Sequence, residues 1–225
     1  MLLEMFYDTS SPYAFLCFEA LLKYQKLWEP HQVKMSFRPY FLGGVIKASS
    51  NSIPFRHKAK GAYNNEDLPR SARYWGVELQ QPKDIEVLMG SLRAQRLLAA
   101  CEMTQPDHLI PLTRCIWGRI WQRDEDITTE ESLTEACREA GLSPSQSSNL
   151  LLKSNSVEAK DWLKRNTQDA IDRGAFGAPW MTVKVTGEHK WHPFFGADSL
   201  PRLAHCFDLP WLGPRGALGH PASRL

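Results

Sequence analysis

The sequence predicts an α/β fold that is interrupted by a long helical insertion. Strand patterns occur only near the two ends of the 225-residue chain, and the segment from about residue 50 to residue 174 contains helical patterns without a convincing strand. A hydrophobic content of 43% is enough for a substantial core without disulfides or metals. We therefore expect one sheet built from both ends of the chain.

The N-terminal part predicts a strand, a helix and a second strand. Residues 2–7 form an apolar run, and Ser11 followed by Pro12 is typical of a helix start, with Ser11 as N-cap and Pro12 at the first helical position. The helix is expected to continue to about Trp28. Residues 33–38 alternate between apolar and polar side chains, which indicates a strand. Such a strand–helix–strand unit predicts a parallel pair of strands.

Helices are expected through the middle of the chain, on the basis of apolar spacing, helix caps and terminating glycines. They are predicted around residues 94–101, 116–121 and 130–140, from Ser143-Pro144, and from Ser156 to Gly174.

Strand patterns return at residues 181–186 and 190–195, separated by a turn at Thr186-Gly187-Glu188. Asp198 is expected to cap a last helix. Without the helical segment, the order of elements is that of a thioredoxin-like fold. Residues 1–50 and 175–225 are therefore predicted to form a thioredoxin-like domain, with residues 51–174 as an inserted helical domain.

Composition excludes several classes of protein. A net charge of +2 gives no basis for binding nucleic acid or an anionic membrane, and no apolar run is long enough for a membrane span. The five cysteines include no C-x-x-C pair, and the seven histidines show no ligand spacing, so we predict neither a redox dithiol nor a metal site.

Three short segments are candidates for chemistry. The helix start at Ser11 offers N–H groups, the positive end of a helix dipole and a hydroxyl, which together suit an anion such as a thiolate. Gly177-Ala178-Pro179 stands where thioredoxin-like folds carry a cis-proline. Gly196-Ala197-Asp198 offers groups for a carboxylate and an ammonium. Each has a plainer interpretation: an ordinary N-cap at Ser11, a trans Pro179 that opens a strand, and a cap at Asp198.

In combination, several motifs resemble the kappa-class glutathione transferases, and the resemblance extends over essentially the whole chain. They are Phe6-Tyr7-Asp8 with Ser11-Pro12-Tyr13, Trp121-x-Arg123-x-Glu125-Asp126-Ile127, Gly174-Ala175-Phe176-Gly177-x-Pro179, Phe195-Gly196-x-Asp198 and Trp211-x-Gly213-Pro214.

The resemblance implies a glutathione site with Ser11 as the residue that hydrogen-bonds the sulfur. The other implied glutathione-binding residues are Pro12, Tyr13, Asn51, Lys60 near the glycyl end, Ala178 pairing through its backbone before Pro179, and Ala197 with Asp198 at the γ-glutamyl end. Two positions depart from the family pattern: position 178 is often a larger apolar residue, and position 197 is commonly Ser. Phe15, Phe41 and Trp180 are candidates for lining an electrophile pocket.

The implied activity is conjugation of glutathione, as co-substrate, to a small electrophile, with peroxide reduction as a side activity and a homodimer as the assembly. The alternatives are a glutathione-dependent isomerase of the 2-hydroxychromene-2-carboxylate type and a non-catalytic glutathione-binding protein. A thiol-disulfide oxidoreductase is disfavoured by the missing C-x-x-C.

The C-terminus ends Ser223-Arg224-Leu225, a conservative variant of the Ser-Lys-Leu peroxisomal signal. The N-terminus has no basic region of the kind that starts a secretory signal. We expect a peroxisomal protein, with a chance tripeptide and a mitochondrial or cytoplasmic location as the alternatives.

Overall fold

A computed structural model describes residues 1–214, apart from the side chains of residues 85 and 86. Its described part contains one four-stranded sheet in the order β2-β1-β3-β4. The strands are β1 (Leu2–Tyr7), β2 (Lys34–Pro39), β3 (Trp180–Lys184) and β4 (His192–Phe195). β1 runs parallel to β2 and antiparallel to β3, which pairs antiparallel with β4. Both ends of the chain thus build one sheet, as predicted.

Helix α1 (Pro12–Trp28) begins where its local sequence predicts. Ser11 is the N-cap in an extended conformation, and its hydroxyl oxygen accepts a hydrogen bond from the Ala14 N–H at 3.2 Å. Pro12 occupies the first turn, where its missing N–H costs no helical hydrogen bond. The helix therefore starts immediately after β1 and presents its N-terminus at the end of that strand.

Between β2 and β3 the structure contains helices and turns, without a strand in residues 51–174. The helices are α2 (Leu42–Ala48), α3 (Lys58–Trp75), α4 (Leu92–Thr104), α5 (Leu109–Gln122), α6 (Glu130–Glu139), α7 (Pro144–Ser154) and α8 (Val157–Asp172). The last five correspond to the predicted helices. The sequence pattern did not predict α2 and α3. The division of the chain into two domains stays a prediction.

Weak local signals explain why α2 and α3 were missed. α2 begins after Phe41 without a side-chain cap and contains two glycines. α3 has Pro69 in its interior and buries only Leu68, Ala72 and Trp75. Helices of this kind are stabilised by tertiary contacts more than by intrinsic propensity.

The last helix, α9 (Leu200–Cys206), differs from its prediction at the N-terminus. A short 3₁₀ turn, Ala197–Ser199, precedes it, and Ser199 is its N-cap residue without a side-chain cap. The expectation that Asp198 caps this helix is therefore wrong. Gly196 has a φ of 81°, and the Asp198 side chain lies so close to it that a Cβ on Gly196 would meet Asp198 Oδ1 at 2.3 Å.

The core lies on both sides of the sheet and extends into the inserted helices. Trp117 and Trp121 of α5 are completely buried, and Phe15 of α1 stacks on Trp117 with ring centroids 5.1 Å apart. Both tryptophans are thus core residues, as expected, and Phe15 packs into the same core. No helix in the described part of the chain has the length and apolarity to cross a bilayer.

Candidate functional site

A cavity of about 610 Å³ lies where β1 passes into α1, a size typical of sites for small molecules. Several segments that are distant in sequence form its walls. The lining residues lie within 10–13 at the start of α1, 41–46 at the start of α2, 51–55 and 63–75 around α3, 88–91, 176–178 before β3, and 195–198 at the end of β4. Both ends of the chain and the inserted helices therefore contribute to one cavity.

Ser11 lies in the wall of this cavity and is 6% exposed. Its hydroxyl donates to the Ala178 carbonyl oxygen at 3.3 Å, in addition to capping α1. The Ala178–Pro179 peptide bond is cis, as predicted. The predicted approach of the Ala178 backbone to Ser11 is thus confirmed, and the plainer alternative of a trans Pro179 is wrong.

Asp8 anchors the segment that carries Ser11. Its carboxylate is completely buried and accepts the Ser10 N–H and the Ser10 hydroxyl, both at 2.9 Å. The other carboxylate oxygen accepts the Leu42 N–H at 2.9 Å. Burial raises the pKa of Asp8, opposed by these hydrogen bonds. Sequence reasoning assigned no role to Asp8, although an acidic residue directly after a buried strand is a signal for one.

Tyr13 directs its hydroxyl to an acidic side chain on α3. The hydroxyl donates to Asp67 Oδ2 at 2.9 Å, and Tyr63 and Ser71 also donate to the Asp67 carboxylate. Burial, followed by the hydrogen bond and the charge of Asp67, raises the pKa of the Tyr13 phenol. The phenol therefore stays protonated near neutral pH. Asp67 was missed from the sequence because α3 was not predicted.

Asn51 and Lys60 differ in their relation to the cavity. Asn51 lines the wall and donates from Nδ2 to the Phe176 carbonyl oxygen at 2.7 Å. That bond joins the loop after α2 to the segment before β3. Lys60 is exposed in the first turn of α3 and is not part of the cavity wall.

Ala197 and Asp198 line the cavity on the side of β4. Ala197 is buried, whereas the Asp198 side chain is 81% exposed, with Arg202 at 3.9 Å. The Asp198 carboxylate is therefore accessible to a cationic group of a ligand.

The remaining wall is largely aromatic. Phe41, Phe176 and Phe195 line the cavity, and the rings of the latter two have centroids 4.6 Å apart while about two fifths of each side chain is exposed. Trp180 packs against both but lies beneath them, at 5% exposure. Of the three aromatic candidates from the sequence, Phe41 is at the cavity, and Phe15 and Trp180 are not.

No cysteine is among the described residues that line the cavity. Cys17 of α1 is fully buried beneath it, with its sulfur 3.5 Å from that of Met181, and burial strongly raises its pKa. Through residue 214, and leaving aside residues 85 and 86, no cluster of three or more His, Cys, Asp or Glu residues is arranged to hold a metal ion. The cavity itself offers a hydroxyl, a helix N-terminus and backbone carbonyls.

The fold and the site at the start of α1 define the chain as a thioredoxin-like protein whose cysteine pair is absent. Residues 2–208 match the family of DSBA-like thioredoxin domains. Over 215 residues the chain is 38% identical to rat glutathione S-transferase kappa 1, covering 94% of this chain and 93% of the relative. Human glutathione S-transferase kappa 1 is 37% identical over 214 residues, with 94% and 92% covered. The chain belongs to the kappa-class glutathione transferase family within the DSBA-like thioredoxin group.

A solved structure of 2-hydroxychromene-2-carboxylate isomerase has the same fold. It superposes with a TM-score of 0.72 at 22% sequence identity, covering 92% of this chain and 95% of the isomerase. At this level of identity the likeness supports the fold alone. It agrees with the predicted thioredoxin-like sheet carrying a large helical insertion.

Proposed function

We propose that the protein is a glutathione transferase that binds glutathione in the cavity and directs its thiolate at a small electrophile. The observation that carries this proposal is the position of the Ser11 hydroxyl, at the N-terminus of a 17-residue helix and 3.3 Å from the Ala178 carbonyl. Membership of the kappa-class family supports it, and the relatives named above carry that activity in their names.

The chemical work of such a site is to ionise the thiol. A free cysteine thiol has a pKa of about 8.5, so most of it is protonated at neutral pH. The N-terminus of α1 and a hydroxyl donor both favour the charged sulfur. Because no cysteine lines the described cavity wall, the reactive sulfur is that of the substrate.

Glutathione binding requires the Ser11 hydroxyl to change partners. Its single proton points to the Ala178 carbonyl, at a distance that indicates a weak bond. We assign the N–H of the cysteinyl residue of glutathione as the donor that replaces it on Ala178. The Ser11 proton is then available to the sulfur, while the Ser11 oxygen continues to cap α1 at Ala14.

The remaining contacts follow from the cavity wall and from the family resemblance. Asp198 is assigned the γ-glutamyl ammonium, with Ala197 beside it, and Asn51 is assigned to the peptide. Lys60 is assigned to the glycyl carboxylate, a contact that requires its exposed side chain to turn toward the cavity mouth. Pro12 and Tyr13 line the cavity beside Ser11 and are assigned to the surroundings of the sulfur, whereas Pro179 is buried behind Ala178 and is not part of the cavity wall. A structure with glutathione bound tests each of these contacts.

The second substrate is assigned to the aromatic part of the cavity. The exposed rings of Phe176 and Phe195, together with Phe41 and Met89, form an apolar wall beside Ser11. Such a wall selects an apolar electrophile and limits water at the sulfur. Reduction of peroxides by glutathione is the side activity we propose for the same thiolate.

We also propose that the protein is a homodimer, as the family resemblance implies. We propose a peroxisomal location because residues 223–225 resemble the Ser-Lys-Leu peroxisomal signal. Those three residues lie outside the described part of the chain. Light scattering on the purified full-length protein tests the assembly, with a mass of one chain as the contradicting result.

The activity is tested by conjugation of glutathione to a chloronitrobenzene, combined with calorimetric titration of glutathione. We expect saturable binding and conjugation above the uncatalysed rate. Binding without conjugation, for this and a panel of other electrophiles and peroxides, would show a non-catalytic binding protein. Reduction of a disulfide substrate by a dithiol at a comparable rate would show a thiol-disulfide oxidoreductase.

A further inference from the structure

Gln95 of α4 reaches from the inserted helices to the segment that carries Ser11. Its side chain is completely buried. From Nε2 it donates to the carbonyl oxygens of Tyr7, at 2.9 Å, and Tyr40, at 2.8 Å. Its Oε1 accepts the Thr9 N–H at 3.3 Å. One amide therefore binds the last residue of β1, the loop after β1 and the residue that follows β2.

These three bonds require the chemistry of a carboxamide. The side chain supplies two donors and one acceptor at the positions where the backbone offers two carbonyls and one N–H. A carboxylate of the same shape has no donor for either carbonyl. A methionine likewise has no donor for the carbonyls and offers the Thr9 N–H only a weakly accepting sulfur. Buried backbone groups left unpaired are costly, so the amide holds this edge of the sheet in one arrangement.

Gln95 also connects to the other side of the cavity. Tyr40, whose carbonyl it binds, donates from its phenol to the Gly177 carbonyl at 2.9 Å. Gly177 precedes Ala178, the acceptor of the Ser11 hydroxyl. The contacts close a ring that runs from Gln95 through Thr9 to Ser11, across to Ala178, and back through Gly177 and Tyr40 to Gln95.

We propose that Gln95 is a positioning residue for thiolate stabilisation, which holds Ser11 and the Ala178 backbone at a fixed separation. The inference rests on the proposed function of Ser11 and adds a role for the inserted helices: one of them sets the geometry of the sulfur site. Gln95 is not in the cavity wall. It therefore acts on catalysis through Ser11 and Ala178, without touching the substrate.

A double-mutant cycle between Gln95→Met and Ser11→Ala tests this role, since groups that act through one another are not additive. In the wild-type background we expect Gln95→Met to lower the conjugation rate near neutral pH by about fivefold and to raise the apparent pKa of bound glutathione. In the Ser11→Ala background the same substitution should change the rate by less than about twofold. Glutathione affinity should change less than the rate.

Asn166→Leu is the matched control. Asn166 is another buried amide of the insertion, in α8, and donates to the Pro39 carbonyl oxygen at 3.0 Å, a contact outside the ring. We expect it to lower the urea midpoint of unfolding while leaving the pH–rate profile as in wild type. Gln95→Glu keeps the acceptor for the Thr9 N–H and loses the donors to the Tyr7 and Tyr40 carbonyls. If Gln95→Met fails to fold, the same double-mutant cycle is measured with Gln95→Glu.

The outcomes are distinguishable. Equal losses from Gln95→Met in both backgrounds, or an unchanged apparent pKa, would overturn the positioning role while leaving Ser11 in place. A Ser11→Ala rate equal to wild type would overturn both the proposed function and the role of Gln95. Because that variant leaves Gln95 unchanged, this result tests Ser11 separately from Gln95.

Discussion

The Ser11 hydroxyl and the Ala178 carbonyl oxygen lie 3.3 Å apart, although 167 positions separate the two residues in the chain. The contact joins the start of α1 to the segment that enters β3. These two segments come from opposite ends of the sequence and meet because β1 pairs directly with β3. The cavity therefore exists only in the folded chain, and its chemistry depends on how firmly the two segments are held.

Gly196→Ala is expected to weaken glutathione binding without altering the acidity of the bound thiol. Gly196 has a φ of 81°, and an added Cβ would lie 2.3 Å from Asp198 Oδ1. The Asp198 carboxylate must then move from its place at the γ-glutamyl end. We expect the Kd of glutathione, measured by calorimetry, to rise about tenfold, equivalent to about 1.4 kcal/mol.

Gly187→Ala is the control for backbone strain. Gly187 has a φ of 90°, and an added Cβ would have no atom within 4 Å. This variant should lose about 1–2 kcal/mol of unfolding free energy, the cost of a left-handed conformation, and bind glutathione as wild type does. Equal affinity in the two variants would remove Asp198 from the proposed site.

Glu102→Gln is expected to change the pH dependence of stability. Glu102 Oε2 accepts hydrogen bonds from Trp162 and Asn166, at 2.7 and 2.8 Å, and burial raises the pKa of its carboxyl. A carboxyl with a raised pKa in the folded state contributes stability that is complete below its unfolded pKa. That contribution is lost as the pH rises through the raised value.

A glutamine oxygen can accept the same two hydrogen bonds and carries no charge to bury. The stability of wild type relative to Glu102→Gln should therefore fall as the pH rises from about 4.3, the usual pKa of a free glutamate, toward neutrality. Urea unfolding of both proteins at several pH values measures this difference. If the stability of wild type relative to Glu102→Gln stays constant or rises with pH, the pKa of Glu102 is not raised in the folded state.

The parts of the fold with strong local signals could be predicted from the sequence. The apolar run of β1 and the Ser11-Pro12 helix start are adjacent in the chain and need no distant contact to be recognised. α3 has no such signal, because Pro69 interrupts it and most of its surface is polar. Asp67, which receives the Tyr13 hydroxyl, was missed with it.

Gln95 shows a second limit of prediction. Its partners Tyr40, Tyr7 and Thr9 are 55, 88 and 86 positions away. In the sequence it is one polar residue among the apolar residues of α4, and a glutamine in a helix is ordinarily exposed. Its role becomes apparent only from the approach of α4 to the ends of β1 and β2. Proximity of this kind has no local pattern.

A reporter protein carrying the last residues of the chain through Leu225 should enter peroxisomes. The prediction rests on the Ser223-Arg224-Leu225 terminus, and a receptor that reads such a signal requires the free C-terminal residue. Removal of Leu225 from the fusion should leave it in the cytosol. Fluorescence microscopy of both fusions measures this, and cytosolic fluorescence from the intact signal would contradict the targeting interpretation.

Ser11→Ala is the most direct test of the mechanism, because it removes the hydroxyl donor and leaves the α1 dipole in place. A hydrogen bond to a charged group contributes about 1.5–3 kcal/mol, so the conjugation rate near neutral pH should fall about tenfold to a hundredfold. The variant should raise the apparent pKa of the bound thiol. Its rate deficit should therefore shrink as the pH rises above that value.

Ser143→Ala controls for the loss of an N-cap. Ser143 precedes Pro144 and caps α7 through Gln146, so it repeats the Ser-Pro start of α1 away from the cavity. Its removal should cost about 0.5–2 kcal/mol of unfolding free energy and leave the pH–rate profile unchanged. Ser11→Cys adds a further test, since it places a sulfur where the substrate sulfur rests. On exchange with oxidised glutathione it should form a mixed disulfide and release one reduced glutathione, which mass spectrometry of the protein detects. If Ser11→Ala and wild type share one apparent pKa and one rate, Ser11 is a helix cap without a catalytic role.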